Sequence, residues 1–334
     1  MTKKINIAID AMGGENSPRK IIEGIKISVN STEENHFFLY GRENSIKKEI
    51  EKNKSIIKNC EIIHADDFIE DHTSPLAAAK KGKQSSMWKC IESQVNKESD
   101  ISLSAGNTGA LLVISRLLLK SIEGIDKPAL AGLWPNEKNM NVVLDLGANI
   151  ECDEKNLLDF ASMGSALFKS LFQNDLPKVA LLNVGLEEIK GNDVLKKAYS
   201  TLKERKIKNF EFVGYIEGNH IMDGEVDIII TDGFTGNIAL KTAEGTANFI
   251  SKNLKQSLNK ISMLFSYSAL KKFRAKLDPR KYNGAIFIGL EGPVVKSHGS
   301  TDSVGFAHSI DMCNKIVKSN LIEKIKSHLI NVDA

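Results

Sequence analysis

The chain has 334 residues, 42% hydrophobic and 26% charged, which is enough length and apolar content for a large core and excludes disorder. A net charge of +3, without a zinc-finger or RNA-binding signature, makes no case for nucleic acid as a partner. No run approaches the ~20 apolar residues of a membrane span, the first residues lack the apolar core of a signal peptide, and four scattered cysteines, Cys60, Cys90, Cys152 and Cys313, read as free thiols of a reducing cytosol.

In chain order, Ile5 to Ile9 reads as a short strand emptying into Asp10-Ala11-Met12-Gly13-Gly14. Ser17-Pro18 then reads as the N-cap and first position of a helix whose apolar face is Ile21, Ile22, Ile25 and Val29. A strand near His36 to Leu39, a polar helix near 43 to 54 and a strand at Glu61 to His64 follow, and Ser74-Pro75 opens a helix over about 75 to 96. Ile101 to Leu103 leads into Ser104-Ala105-Gly106-Asn107-Thr108-Gly109 and a buried helix from Ala110 to Leu119. Ala129 to Trp134 and Asn141 to Leu144 read as neighbouring strands, the second ending in Asp145-Leu146-Gly147-Ala148-Asn149. Helices near 155 to 172 and 192 to 205 alternate with strands at 179 to 183, 210 to 214 and 226 to 231. Two of these strands empty into Asn183-Val184-Gly185 and Asp232-Gly233-Phe234-Thr235-Gly236-Asn237. The alternation predicts a three-layer α/β fold, a mostly parallel sheet with helices on both faces, in one catalytic unit over residues 1–334.

Five strands thus end in loops of Gly, Asx and Ser or Thr. Glycine lets backbone N–H groups approach an anion, and a following helix start adds a favourable dipole. In a parallel sheet such loops share one edge, so the five together predict a single extended polar site. Each loop taken alone also reads as a tight strand-to-helix turn.

The stretch from about 238 to 280 departs from the alternation. It reads as a basic amphipathic helical hairpin, with Leu254, Leu258, Ile261 and Phe265 on one stripe and Leu270, Phe273 and Leu277 on the next. Met263, Leu264, Phe265 and Tyr267 make an apolar tip, and between Ser251 and Lys281 nine Lys or Arg stand against one acid, a net of +8. An apolar face bordered by cations suits a peripheral membrane contact; it suits equally a helix pair packed on the core or on a second subunit.

With these loops in view the chain resembles the PlsX family of bacterial phosphate acyltransferases. The resemblance runs through the Asp10, Ser104 and Asp145 loops, Asn183-Val184-Gly185-Leu186-Glu187-Glu188-Ile189-Lys190-Gly191 and the Asp232 loop. It ends in Gly289-Leu290-Glu291-Gly292-Pro293-Val294-Val295-Lys296-Ser297-His298-Gly299-Ser300. Glu15 and Pro293 depart from the family pattern. The resemblance implies a fold like the isocitrate and isopropylmalate dehydrogenases with a protruding hairpin, a homodimer, and transfer of an acyl group from acyl carrier protein to inorganic phosphate. The acyl phosphate then passes to a membrane acyltransferase acting on glycerol 3-phosphate, which implies a cytoplasmic enzyme at the membrane surface.

That chemistry sets three requirements. A phosphate cradle fits the N–H groups from Gly106 to Gly109, the Ser104 and Thr108 hydroxyls, the Asn107 amide, and Gly13 and Gly14. An oxyanion donor fits Asn237, which with Thr235 also suits capping of the helix beginning at Ile238. A cation fits Lys296, His298 or Lys190, His298 reading equally as a structural histidine. Asp10, Asp145 and Asp232 suit orientation of loop amides or lysines, and phosphate with an acyl thioester calls for no metal and no cofactor. Two alternatives stay open: a donor thioester on coenzyme A, and a non-catalytic membrane scaffold.

Overall fold

The computed structural model describes residues 4–30, 35–172, 176–257, 280 and 283–329. Its strands are β1 (Ile5–Asp10), β2 (Asn35–Gly41), β3 (Cys60–His64), β4 (Ile101–Ser104), β5 (Ala129–Pro135), β6 (Met140–Leu144), β7 (Lys178–Asn183), β8 (Glu211–Glu217), β9 (Ile228–Ile230), β10 (Ala285–Ile288) and β11 (Val294–Lys296). The helices are α1 (Arg19–Val29), α2 (Glu43–Glu51), α3 (Pro75–Lys81), α4 (Ser86–Val95), α5 (Thr108–Leu119), α6 (Glu154–Phe172), α7 (Asp193–Glu204), α8 (Gly233–Ser257), α9 (Ser303–Lys318) and α10 (Leu321–His328).

All the strands join one sheet in the order β3-β2-β1-β4-β11-β10-β5-β6-β9-β7-β8. Because side chains alternate across a strand, the sheet builds a core on each face. Val142, Leu144, Ile228 and Ile230 point into the core formed with α1, α6 and α9, and Val143 and Ile229 into the one formed with α4 and α5. The sheet is mixed and mostly parallel, as expected, yet β10 runs antiparallel to both β11 and β5, and β5 runs antiparallel to β6.

These reversals correct the expectation of one shared edge. The strands β1, β4 and β11 run one way while β6, β9 and β7 run the other, so the loops at Asp10, Ser104 and Lys296 lie at the opposite edge from those at Asp145, Asp232 and Asn183. The cause is the tight connection from β5 to β6, where the Asn136 side chain accepts from the backbone N–H of Lys138 at 3.0 Å and of Asn139 at 2.5 Å. Four residues reverse a chain; they do not carry it across to a parallel neighbour.

Two helix starts separate a correct expectation from an incorrect one. Ser74 caps α3, accepting from Ala77 N at 3.3 Å with Pro75 at the first position. Ser17 does not cap α1; its hydroxyl donates to Gly13 O at 2.5 Å, and α1 begins at Arg19 without a side-chain cap. The single helix expected over 75 to 96 is two, α3 and α4, broken at Gly82–Gln84. Ser85 makes the break, donating to Gly82 O at 2.6 Å and accepting from Trp88 N at 3.2 Å as the cap of α4. The break places Ser86 beside Asp10, where it enters the site.

Candidate functional site

The first polar centre lies where β1, β4 and β11 end. The carboxylate of Asp10, 2% exposed, accepts from Ser86 Oγ at 2.6 Å, Ser104 Oγ at 2.7 Å and Met12 N at 3.3 Å. Burial pushes its pKa up, and these hydrogen bonds oppose the shift. Ser104 Oγ accepts in turn from Gly106 N at 3.0 Å, so one buried acid aligns both loops. A Cβ at Gly13 would stand 2.6 Å from Asp10 Oδ2 and from Gly106 N; one at Gly14, where φ is +78°, would stand 2.8 Å from Ala105 O and Lys20 Nζ. Glycine is what lets these loops close on one another.

Lys296 ends β11 in register with Ser104. It is 8% exposed, and its Nζ donates to Ser297 O and, at 3.5 Å, to Ala105 O. Burial, and next the nearby Lys20 ammonium, bring its pKa down to about 8. Lys20, on the first turn of α1 and 4% exposed, donates to Gly299 O at 2.5 Å; its pKa is also lowered by burial, against the pull of Glu15 and Asp71. His298 stands at the exposed rim with Nδ1 3.0 Å from Ser300 Oγ, and its backbone N–H donates to Asn283 Oδ1 at 2.8 Å. Partial desolvation of its ring lowers its pKa, with Lys296, Lys241 and Lys20 adding and Glu244 opposing.

Asn107, Thr108 and Gly109 form the cap and first turn of α5 beside this centre. Asn107 is already committed: its amide donates to Asp71 O at 2.7 Å and Thr73 O at 3.0 Å, and its oxygen accepts from Ala110 N at 2.9 Å. The loop-internal reading therefore holds for Asn107, while the Thr108 hydroxyl is exposed.

The second centre lies at the opposite edge. Asp145 accepts from the backbone N–H groups of Leu130, Gly147, Ala148 and Asn149 and from the Asn149 amide, at 2.7 to 3.1 Å. It is a loop organiser with burial raising its pKa. Asp232 caps α8, accepting from Thr235 N at 2.7 Å and Thr235 Oγ1 at 3.0 Å. The cap is therefore Asp232, not Thr235 or Asn237, and Asn237 stands exposed over Gly147 with no side-chain hydrogen bond to a described residue. Lys190, exposed in the loop after β7, is held through its backbone, its carbonyl accepting from the Asn183 amide at 3.2 Å.

Helix α8 joins the two centres. Asn237, Lys241 and Glu244 recur at i, i+4 and i+7 and share one face. Lys241 and Glu244 both act electrostatically on His298, and Lys241 also on Lys296. The face that starts with Asn237 thus runs on to the buried lysines. A Cβ at Gly236 would lie 1.9 Å from the carbonyl oxygen of Asp145, which fixes where this helix begins. Gly236→Ala is expected to destabilise the fold by about 1–3 kcal/mol or more through overpacking, read as a fall in Tm; an unchanged Tm counts against this packing.

Of the predicted residues, the structure gathers Gly13, Gly14, Ser104, Gly106 and Lys296, with His298 at the rim, and sets Asn237 and Lys190 at the other edge. Lys20 and Ser86 escaped the sequence reading. For Lys20 a signal exists: Lys20, Gly24 and Ser28 form a buried line at spacing four on α1, so this lysine faces protein rather than water. Leu254 is half-buried on α8; Leu258, Ile261, Met263, Leu264 and Phe265 lie outside the described residues. Among the described residues no helix is long and apolar enough to cross a membrane, and no group of three His, Cys, Asp or Glu is placed to hold a metal ion.

The fold is that of the phosphotransacetylases. A phosphotransacetylase from Streptococcus pyogenes superposes with a TM-score of 0.63 at 14% identity, over 97% of this chain and 95% of that one. The EutD phosphotransacetylase from Staphylococcus aureus gives 0.60 at 14%, over 95% and 94%. In sequence, a fatty acid synthesis protein family matches residues 5–324. A phosphate acyltransferase of Pelagibacter ubique (strain HTCC1062) is 58% identical over 334 residues, 98% of this chain and 100% of that one. Another, from Afipia carboxidovorans, is 42% identical over 97% and 94%. The chain belongs to the fatty acid synthesis protein family and is a phosphate acyltransferase.

Proposed function

We propose that the chain transfers a fatty acyl group from the thioester of an acyl carrier protein to inorganic phosphate, for phospholipid synthesis. A phosphate oxygen attacks the thioester carbonyl; the C–O bond forms, the tetrahedral oxyanion collapses, and the C–S bond breaks to release the carrier thiolate, which takes a proton from water. Phosphate is already largely ionised near neutral pH and a thiol of pKa about 8.5 leaves readily, so the reaction calls for no covalent nucleophile.

The observation that carries this reading is the pairing of two chemistries along α8. The buried amines of Lys20 and Lys296, the second within reach of the Lys241 charge, suit an anion, and the amide of Asn237, one turn earlier on that helix face and with no hydrogen bond to a described residue, suits a developing oxyanion. The loops at Gly13, Gly14, Ser104 and Gly106 line the phosphate side, with His298 at its entrance and Lys190 beside the acyl side. The basic stretch from Ser251 to Lys281 supports docking of an acidic carrier protein. Phe249, 69% exposed, and Ile250, 49% exposed, extend α8 toward the same stretch. They support its burial against a membrane surface or a second copy of the chain, consistent with a homodimer acting peripherally at the membrane.

The test incubates the purified protein with long-chain acyl carrier protein and inorganic phosphate, traps acyl phosphate with hydroxylamine, and runs acyl-coenzyme A in parallel. Phosphate-dependent hydroxamate from the carrier alone is expected. Product from coenzyme A alone reassigns the donor, and product from neither overturns the proposal.

A further inference from the structure

We infer that Lys20 and Lys296 together form a two-amine seat for a phosphate dianion beneath Gly14, with Lys20 a binding residue for the phosphate substrate. The inference deepens the reading above by naming the groups that hold the attacking anion.

Two ammonium groups, on residues 4% and 8% exposed, come from elements far apart in sequence to the same few main-chain atoms. Gly14 touches both loops: its Cβ position lies 2.8 Å from Lys20 Nζ, 2.8 Å from Ala105 O and 2.9 Å from Gly299 O. Ala105 O accepts from Lys296 and Gly299 O from Lys20, so both amines converge on the main-chain atoms packed around Gly14.

Their hydrogen bonds leave the two amines short of acceptors among the described residues. An ammonium carries three donors. Lys20 gives one to Gly299 O; Lys296 gives one to Ser297 O and a long one to Ala105 O. Among the described residues neither makes an ion pair, and all these partners are neutral carbonyls. Glu15, Asp71 and Asp10 act only at longer range.

Buried cations are ordinarily paired, because an unpaired one costs far more than a hydrogen bond returns. Here two of like sign repel one another and depress the Lys296 pKa. A doubly charged tetrahedral anion between them would relieve the repulsion and accept the remaining donors. Carbonyl partners also keep the amines fixed, so little ordering remains to be done when the anion arrives.

The same chemistry would also recognise the phosphodiester of a carrier's prosthetic group, and the experiment separates the two. In Lys20→Met, which keeps the stem and removes the charge, the KM for inorganic phosphate is expected to rise about 10- to 100-fold, with the KM for the acyl donor unchanged. A phosphate KM within twofold of wild type overturns the inference. So does a shift confined to the donor KM, which would place the phosphodiester in the seat.

Binding is also measured without any acyl donor. Inorganic phosphate should raise the Tm of the wild-type protein above that in chloride of equal ionic strength, and should not raise that of Lys20→Met. No shift in wild type overturns the seat even if the variant fails to fold. If phosphate shifts only the wild type yet no acyl donor supports turnover, the seat stands and the reading of the reaction falls.

Discussion

Asn237→Ala is expected to lower kcat by about 10² to 10³ while leaving the KM for phosphate and the Tm nearly unchanged. One well-placed donor to a developing oxyanion is worth that much in rate, since it acts where charge appears only in the transition state. Asn237 is unusually free to act so. The capping that would otherwise occupy such a residue is done by Asp232, and the loop beneath is held by Asp145. Truncation therefore removes no side-chain hydrogen bond to a described residue. Steady-state kinetics with a thermal melt decide it: a kcat within threefold of wild type, or a loss matched by a fall in Tm, removes Asn237 from the chemistry.

Lys296→Met is expected to reduce kcat/KM for phosphate by at least about 10² and to flatten its dependence on pH. Burial and the neighbouring Lys20 hold the Lys296 amine at about 8, below its ordinary 10.5. As pH rises through 8 the amine loses its charge, so the wild-type enzyme should bind phosphate progressively less well. Stability runs the other way. The unfolded chain keeps the proton up to about 10.5 while the folded chain gives it up from about 8, so the penalty for burying this charge is full below pH 8 and fades between pH 8 and 10.5. The variant should therefore melt at a temperature equal to or above wild type at pH 7. Phosphate kinetics from pH 6.5 to 9.5, with thermal melts of both proteins over the same range, check the two statements, and a wild-type KM flat across pH 8 rejects the assignment.

An element is legible in the sequence where its local signal stands in a regular pattern and no tertiary contact overrides it. Strands β1, β7 and β9 stand within a residue or two of their apolar runs, and Ser74-Pro75 marks a helix start because both halves of the signal act there. Ser17-Pro18 carries the same letters, but its hydroxyl finds Gly13 O instead, a choice made by tertiary contact. The break at Gly82 was hidden because Ala, Lys and Gln around it are all good helix formers. Strands β10 and β11 lie beyond the basic stretch that interrupts the strand–helix alternation, and no helix separates them, so the alternation that marks the other strands does not reach them. Missing them hid the reversal that separates the two sets of loops, although the four residues joining β5 to β6 already implied one. The glycine loops were legible as sites; which side chains were already committed was not, and that distinction frees Asn237 and occupies Asn107.

The strand order has a consequence for how the polypeptide is made. Residues 5–104 supply one half of the sheet and residues 129–230 most of the other, yet the two strands between β4 and β5 come from residues 285–296. On the ribosome, at about 5 to 20 residues per second, roughly 15 to 60 s pass before that seam emerges. Until then each half presents an unpaired inner edge of the kind that invites pairing with another chain. A nascent chain stalled before residue 285 should thus be a strong client for chaperones, and loss of the last fifty residues should cost the cell the whole protein rather than its tail.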